Sequence, residues 1–300
     1  MFNNRCFDSM ESYLAFYGLE AAGHEFVPFK SGGFELAGHI FQPVNYKAAV
    51  VILHGWLNHI GLLSKLIKYL TQANFAVAVF DLPGHGLSSG QPTAIDDLSQ
   101  YTDSLNDFIK IIRPQLHGPY HAIGHSTGAA IIMDYLLEGR DDCFDKVILA
   151  APLERSDWWT LSKIGFSICR PFCSNLPRVF RKVSSDKDFL RFVRYKDPLQ
   201  AKKVSVRWIG AMFKWDRKIT DAKTSPRQVL VIQGTKDNII DWKFNIKFIL
   251  SKFSRAEIEF VENGRHELFN ESVEIRETVF SQIKDYLKKQ AVKPEELKNE

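Results

Sequence analysis

Short apolar segments of strand length alternate along the chain with longer segments in which apolar residues recur every three or four positions. The short segments are continuously apolar, a pattern typical of parallel strands that helices cover on both faces. These candidate strands span residues 48–53, 75–80, 120–123, 147–151, 229–232 and 258–261. Strands that alternate with helices predict an α/β fold on a mostly parallel, doubly wound sheet.

The strands predicted nearest the N-terminus have a different pattern. Residues 25–30 and 34–41 mix polar and apolar positions, and Gly32 and Gly33 lie between them. Adjacent glycines readily adopt the positive φ angles of a tight hairpin turn. We therefore predict antiparallel pairing at this edge of the sheet.

Helical periodicity is clearest from residue 98 to residue 112, where one face carries Leu98, Tyr101, Leu105, Phe108 and Ile112. Similar spacing predicts helices around residues 62–70, 129–137 and 279–287. After these helices the final residues, 290–300, are rich in Lys, Glu and Asn and are predicted to form a flexible tail.

One segment interrupts the alternation, because residues 152–223 contain no buried-strand pattern. An irregular loop of this length is uncommon in a compact domain, so we predict helices there. Trp208, Met212 and Trp215 form an apolar stripe at helical spacing, and a second stripe lies near Phe189. The predicted organisation is a core of residues 1–151 and 224–289, interrupted by an inserted helical cap of residues 152–223.

Composition excludes several classes of protein. The chain of 300 residues is 45% hydrophobic and 25% charged with a net charge of +4, so it is not a disordered chain. No basic motif of a nucleic-acid-binding protein is present, and no apolar run approaches the length of a membrane-spanning helix. The first residues are not those of a signal peptide, so we expect a cytoplasmic protein. The sequence leaves the oligomeric state open.

The cysteines do not predict a disulfide framework or a metal site. The chain has four, Cys6, Cys143, Cys169 and Cys173, and no histidine lies between His125 and His266 to join them as a zinc ligand. No phosphate-binding or dinucleotide motif is complete either. We therefore predict that the protein needs no metal and no other cofactor.

Two segments match the pattern G-x-S-x-G, which places a serine on a sharp turn between a strand and a helix. Ser126, in Gly-His-Ser-Thr-Gly, follows a predicted strand and begins a predicted helix. Ser88, in Gly-Leu-Ser-Ser-Gly, lies well past its strand and is followed by Gln91 and Pro92, so we assign it to a loop. Ser126 is the candidate nucleophile.

A serine nucleophile needs a histidine base and a carboxylate that orients the histidine. His266 is the one histidine after Ser126 in the chain. For the acid, Asp237 directly follows a buried strand; Asp241 is a close alternative, while Glu154 and Asp157 are more distant ones.

The developing oxyanion needs two hydrogen-bond donors. We expect one from the backbone N–H of Thr127. The other is expected from the N–H of Trp56, which follows the strand that ends at His54 and Gly55. A turn that merely ends the strand is the alternative interpretation of His54 and Gly55.

With these motifs in this order, together with Asp-Leu-Pro-Gly-His-Gly at 81–86 and Gly-Arg-His-Glu at 264–267, the chain resembles the α/β-hydrolase superfamily. Within it, the chain is similar to monoacylglycerol lipases, bacterial lysophospholipases and enzymes named serine aminopeptidase S33. The resemblance implies Ser126 as nucleophile, His266 as base and Asp237 as the orienting acid. It also implies Trp56 and Thr127 as oxyanion donors. Many relatives carry a smaller residue where Trp56 stands.

The cap suggests the class of substrate. Residues 152–223 contain 17 Lys and Arg against 7 Asp and Glu, a net charge of +10 that leaves −6 for the remainder. The cap also holds four of the six tryptophans. A basic, aromatic cap favours an amphiphilic ester with a phosphate-rich head, or contact with an anionic membrane surface; an ordinary solvated face is the alternative.

The favoured hypothesis is therefore hydrolysis of a small-molecule acyl ester, a lysophospholipid or monoacylglycerol. We expect substrate contacts from Trp56, His125, Trp158, Trp208 and Met212. The alternatives are a small-ester hydrolase, an S33-type aminopeptidase and, from another class, a non-catalytic ligand-binding protein.

Overall fold

The computed structural model of the protein describes residues 6–20, 23–140 and 143–289. The flexible tail predicted for residues 290–300 lies outside these described residues.

An eight-stranded sheet forms the centre of the molecule, with the strand order β1-β2-β4-β3-β5-β6-β9-β10. Its strands are β1 (His24–Ser31), β2 (Phe34–Phe41), β3 (Ala49–Leu53), β4 (Ala76–Phe80), β5 (Tyr120–His125), β6 (Phe144–Ala150), β9 (Ser225–Gly234) and β10 (Phe253–Val261). From β4 to β10 all neighbouring strands are parallel, whereas β2 is antiparallel to both β1 and β4. The predicted α/β fold and its antiparallel edge are confirmed.

The hairpin between β1 and β2 follows from its two glycines. Ser31 pairs with Phe34, so Gly32 and Gly33 alone form the turn, with φ angles of 54° and 84°. Residues with side chains rarely adopt two consecutive left-handed conformations.

Helices cover the sheet on both faces. The helices along the chain are α1 (Met10–Tyr17), α2 (Ser64–Gln72), α3 (Ser99–Ile112), α4 (Thr127–Leu137), α5 (Trp159–Cys169), α6 (Lys187–Tyr195), α7 (Val206–Thr220), α8 (Trp242–Lys252) and α9 (Val273–Lys288), of which α5, α6 and α7 belong to the cap described below. Every residue of β3 and β4 is buried although successive side chains point to opposite faces, so neither face is open to solvent there. Helix α2 packs with α9, and α3 packs with α4. None of these helices is both long and apolar enough to cross a membrane.

The segment predicted as a cap, residues 152–223, contains α5, α6 and α7. It also contains a small antiparallel ribbon of β7 (Asn175–Pro177) and β8 (Lys203–Ser205), which the sequence analysis did not predict. Each strand of the ribbon has only three residues and is largely exposed or half-buried, so it leaves no apolar pattern in the sequence. We call residues 152–223 the cap segment below.

The parallel strands all end at the same edge of the sheet. The loops after β3, β5, β9 and β10 carry Trp56, Ser126, Asp237 and His266, respectively. The topology therefore brings together residues that lie far apart in the sequence.

Candidate active site

Ser126 occupies the turn between β5 and α4, where the backbone is strained. Its φ and ψ angles are 54° and −113°, which residues with side chains seldom adopt. The backbone is held there by the Ser126 N–H, which donates to the Ala150 carbonyl at 2.9 Å. The turn directs the hydroxyl towards the loop that follows β10.

The two glycines of the motif are required by close approaches of the backbone. A Cβ atom on Gly124 would lie 2.5 Å from the Gly128 carbonyl oxygen. A Cβ atom on Gly128 would lie 2.2 Å from the carbonyl oxygen of Leu53. A side chain at Gly124 would therefore push the end of β5 away from the start of α4, and one at Gly128 would push α4 away from the end of β3.

The side chains of Ser126, His266 and Asp237 form a continuous hydrogen-bonded series. His266 Nε2 is 3.0 Å from Ser126 Oγ, and His266 Nδ1 is 2.8 Å from Asp237 Oδ2. The other Asp237 oxygen, Oδ1, accepts the N–H of Ile239 at 2.8 Å. All three side chains that make the series are buried. With Nδ1–H donating to Asp237, the lone pair of Nε2 faces the serine hydroxyl.

The other candidate acids have different partners. Asp241 begins α8 as its N-cap and accepts the N–H of Phe244 at 3.1 Å. Asp157 contacts Arg181 at 3.4 Å, and Glu154 lies 3.4 Å from Arg155. Among these carboxylates, the structure places Asp237 against His266.

Ser88 lies in a loop, as predicted, and has a structural role. Its hydroxyl bonds the Asp81 carbonyl and accepts the N–H of Ala37 at 2.9 Å. The hydroxyl therefore tethers this loop to β2.

Electrostatics couples His266 and Asp237. Burial disfavours the charged form of His266, but the charge and the hydrogen bond of Asp237 outweigh it and hold the pKa of His266 above its usual value. Burial likewise opposes ionisation of Asp237, and the His266 contact together with the Ile239 N–H holds the pKa of Asp237 below its usual value. The pair favours an ionised Asp237 beside a histidine of increased basicity.

Thr127 and Trp56, the expected oxyanion donors, lie in two backbone segments that flank Ser126. Thr127 begins α4, and the first N–H groups of a helix have no acceptor within the helix. An added Cβ atom on Gly55 would come within 3.1 Å of Ser126 Cβ, so the loop that carries Trp56 runs against the serine. This arrangement suits two donors to an oxyanion.

His54 fixes the position of that loop. Its Nε2 accepts the N–H of Leu82 at 3.0 Å, and its Nδ1 lies 2.8 Å from the Gly55 carbonyl oxygen. Burial keeps the pKa of His54 well below its usual value, so the ring is neutral. This bridging role of His54 was not predicted from the sequence.

A cavity of about 760 Å³ opens above Ser126 and His266. Most of its wall is apolar and comes from the cap segment. Trp56, Trp208 and Met212 lie on this wall, where substrate contacts were predicted. The rings of Trp56 and Trp208 stack with centroids 3.8 Å apart, so the loop after β3 is packed directly against α7.

Two residues that were predicted to contact the substrate, His125 and Trp158, do not line the cavity, and these two predictions are corrected here. His125 is fully buried beneath the site, where its Nε2 is 2.8 Å from the His266 carbonyl oxygen, and it is not part of the cavity wall. Its position follows from β5, in which successive side chains alternate between the two faces of the sheet. Trp158 precedes α5 and is 67% exposed, outside the cavity lining.

Several polar residues near the site were not predicted from the sequence. Asn58 Nδ2 donates to Glu267 Oε1 at 2.9 Å, which links the loop after β3 to the residue that follows His266. Four basic residues also line the cavity: Arg178, Arg181, Lys182 and Arg194.

Within residues 6–20, 23–140 and 143–289, no three His, Cys, Asp or Glu side chains form a group that could hold a metal ion.

A buried network joins the cap segment to the core. Asp197 accepts hydrogen bonds from the Tyr17 hydroxyl at 2.6 Å and from Gln200 Nε2 at 3.0 Å, and it lies 2.9 Å from His59 Nε2. These contacts connect α1 and the loop after β3 with the segment between α6 and α7. The sequence did not predict this network, because its members lie far apart along the chain.

Comparison with solved structures identifies the class of fold. A monoglyceride lipase from Saccharomyces cerevisiae superposes with a TM-score of 0.79 at 20% identity, covering 91% of this chain and 97% of that one. A monoacylglycerol lipase from Paleococcus ferrophilus gives 0.72 at 22% identity, covering 84% and 98%. The protein has the α/β-hydrolase fold that the resemblance implied.

Comparison with protein families is more specific. Residues 44–273 match the family described as serine aminopeptidase, S33, and the chain belongs to this family of hydrolases. Among curated relatives, a monoglyceride lipase homolog of Monkeypox virus is 25% identical over 82% of this chain and 92% of the relative. A Bacillus subtilis phospholipase is 24% identical over 78% and 92%.

Proposed function

We propose that the protein is a serine ester hydrolase that cleaves monoacyl lipids, a lysophospholipid or a monoacylglycerol, through an acyl-enzyme. The observation that carries the proposal is the hydrogen-bonded series of Ser126, His266 and Asp237 at the floor of a largely apolar cavity. Nucleophile, base and orienting acid are thus within hydrogen-bond reach of one another.

In the first step, Ser126 Oγ attacks the ester carbonyl while His266 Nε2 takes the hydroxyl proton. Asp237 stabilises the imidazolium that forms, and the N–H groups of Trp56 and Thr127 bind the oxyanion. His266 then gives its proton to the leaving alcohol as the ester C–O bond breaks, which leaves the acyl group on Ser126 Oγ. In the second step, water loses a proton to His266 and attacks the acyl-enzyme. His266 returns this proton to Ser126 Oγ as the acyl–Oγ bond breaks, which releases the carboxylic acid and restores the serine.

The cavity supports a lipid substrate. The stacked Trp56 and Trp208, together with Met212, offer an apolar surface beside Ser126 that suits an acyl chain. The names of the relatives, a monoglyceride lipase homolog and a phospholipase, are in accord with such a substrate. Residues 152–223 act in this proposal as a cap that encloses the chain.

The wall of the cavity disfavours the aminopeptidase alternative. A free substrate ammonium group calls for acidic side chains, whereas four cations and the carboxylate of Glu267 line the cavity.

The other two alternatives are distinguished by experiment. A preference for short acyl esters in an ester panel would support the small-ester hydrolase alternative. A non-catalytic ligand-binding protein would not react with an active-site probe.

A fluorophosphonate probe tests the nucleophile. We expect the wild-type protein to be labelled and Ser126→Ala not to be labelled, because the probe reacts with an activated serine. Ser88→Ala, which alters the second G-x-S-x-G segment, is the matched control and should keep the label. Labelling that persists in Ser126→Ala would contradict the proposal.

We also propose that the cap segment contacts anionic membranes. Its helix α5 presents two different faces: Trp159, Phe166 and Cys169 line the cavity, whereas Leu161 and Ile168 face solvent. The apolar outer face continues into Phe172, which is 84% exposed. An exposed apolar face on a segment of net charge +10 suits an anionic bilayer surface.

A further inference from the structure

The charged side chains on the cavity wall are mainly cationic. Four basic residues, Arg178, Arg181, Lys182 and Arg194, line the cavity together with the carboxylate of Glu267. Glu267 already accepts a hydrogen bond from Asn58. An otherwise apolar cavity therefore carries an excess of positive charge.

Arg178, Arg181 and Lys182 lie on the histidine side of the site, and Arg194 lies over the ring of Phe180 in the same segment. The Glu267 N–H donates to the Val183 carbonyl at 2.9 Å, which holds the segment of residues 178–183 against the loop that carries His266. Burial and the positive charge of Arg181 both lower the pKa of His266, against the stronger opposing effect of Asp237. Arg181 is thus close enough to influence the histidine electrostatically.

The cations on this side are incompletely neutralised. Arg181 makes a 3.4 Å contact with Asp157, in which both side chains are partly exposed. Arg194 lies over the rings of Phe180 and Tyr195, and within the described parts of the chain it has no carboxylate partner. Arg178, in contrast, donates hydrogen bonds to the side chain of Gln200 and to the Ala201 carbonyl, so its interactions are within the cap segment.

The reaction chemistry determines which part of a substrate meets these cations. His266 must deliver its proton to the leaving oxygen, so the leaving alcohol lies on the His266 side of the site. The acyl chain then occupies the apolar side near Trp208 and Met212. The basic residues therefore face the alcohol portion of the ester.

We infer that Arg181, Arg194 and Lys182 form a subsite for a phosphate group on the leaving alcohol, so that the preferred substrate is a monoacyl glycerol phosphate instead of a neutral monoacylglycerol. This inference rests on the proposed ester hydrolase function. Arginine is suited to the role because its planar group of donors matches the oxygens of phosphate.

The test compares two soluble esters that share one acyl chain, octanoyl glycerol phosphate and octanoyl glycerol. Both are used as monomers below the concentration at which they form micelles, so a phosphate headgroup is distinguished from a lipid surface. At low salt we expect kcat/KM to be at least about tenfold higher for the phosphate ester, in line with one charge-assisted contact. Raising the salt concentration should reduce this ratio.

The double variant Arg181→Gln/Arg194→Gln should lower the ratio by about tenfold or more. Any change in the pKa of His266 affects both esters and cancels in the ratio. Arg191→Gln is the matched control, because Arg191 lies on α6 with Arg194 but is not part of the cavity wall. An unchanged ratio in the double variant, or an equal loss in Arg191→Gln, overturns the subsite.

A measurement on the wild-type protein alone keeps the inference testable if the variants do not fold. Glycerol 3-phosphate should inhibit hydrolysis of p-nitrophenyl octanoate competitively at concentrations at which glycerol, at matched ionic strength, does not. Equal effects of the two compounds overturn the phosphate subsite and leave the ester hydrolase intact. Failure to hydrolyse any of these esters, with no fluorophosphonate labelling, overturns the proposed function itself.

Discussion

Asp237 and Asp241 lie close together in the sequence, but their carboxylates have different partners. Asp237 contacts His266, whereas Asp241 caps α8. Asp237→Asn should lower kcat by about 10⁴-fold, because an amide no longer fixes the histidine tautomer. The measurement is the steady-state rate on a soluble ester.

Asp241→Asn is the matched control for that prediction, since it makes the same chemical change nearby. Asparagine caps helices about as well as aspartate, so both activity and stability should stay close to those of the wild-type protein. Loss of turnover in Asp241→Asn but not in Asp237→Asn would assign the acid to Asp241.

The raised pKa of His266 predicts the pH profile. The base acts in its neutral form, so kcat/KM should rise with pH as His266 loses its proton, with the midpoint above the usual histidine value. Removing the Arg181 cation, which lowers this pKa, should shift the midpoint to higher pH. Profiles of wild-type and Arg181→Gln protein on an ester with a non-ionising leaving group test both statements; identical midpoints would contradict the second.

At the scale of residues, the G-x-S-x-G turn and the chain order restrict the choices enough for the sequence to single out Ser126 and His266 as candidates. They left Asp237 and Asp241 as alternatives, since both follow the same strand. Neither the buried position of His125 nor the cationic wall could be predicted. The cations at 178–183 belong to a segment with little regular structure, in which spacing does not indicate where a side chain points.

At the scale of elements, the central strands β3, β4, β5, β6 and β9 were predictable because continuous apolar runs are diagnostic when both faces are buried. Helices α3, α4, α7 and α9 were predictable from their apolar stripes. Helix α5 has no buried residue, so its boundaries left no clear stripe in the sequence. The short ribbon of β7 and β8 was missed because backbone pairing, not side-chain burial, defines it.

A buried carboxyl at the junction of β6 and the cap segment predicts a pH-dependent stability. Burial first, and then the nearby Asp216 carboxyl, raise the pKa of Glu154 to about 9, although the cations Arg155 and Lys163 oppose the shift. The folded state therefore keeps a proton that the unfolded chain releases at much lower pH. The stability that this proton contributes is lost as pH rises towards about 9.

Glu154→Gln carries an uncharged group at every pH and should flatten this dependence. We expect the decrease in Tm between about pH 5 and about pH 9 to be smaller in Glu154→Gln than in the wild-type protein. Glu35→Gln, at an exposed ion pair with Lys30, is the control and should follow the wild-type curve. Parallel curves for all three proteins would exclude a titrating Glu154.

At the scale of the whole molecule, charge and exposed apolar surface are concentrated in the same segment. The cap segment carries +10 while the remainder carries −6. Of the large hydrophobic side chains that are exposed, Trp158, Leu161, Ile164, Ile168 and Phe172 lie in or beside α5. The charge imbalance was readable from composition, whereas the outward direction of this apolar face depends on the packing of α5 against α7.

This distribution predicts that the protein adsorbs selectively to anionic membranes. The measurement is co-sedimentation with vesicles of phosphatidylglycerol or of phosphatidylcholine. The Ser126→Ala protein is used so that no lipid is hydrolysed during the measurement. Binding should be stronger to phosphatidylglycerol and should weaken with salt, because the attraction between charges is screened. Ile168→Ser/Phe172→Ser should reduce binding severalfold, since burial of the two side chains in the interface is lost. Val44→Ser changes an exposed residue outside the cap segment and should bind as before. Equal binding to both kinds of vesicle, or an equal loss in Val44→Ser, would show that the outer face of α5 is an ordinary solvated surface.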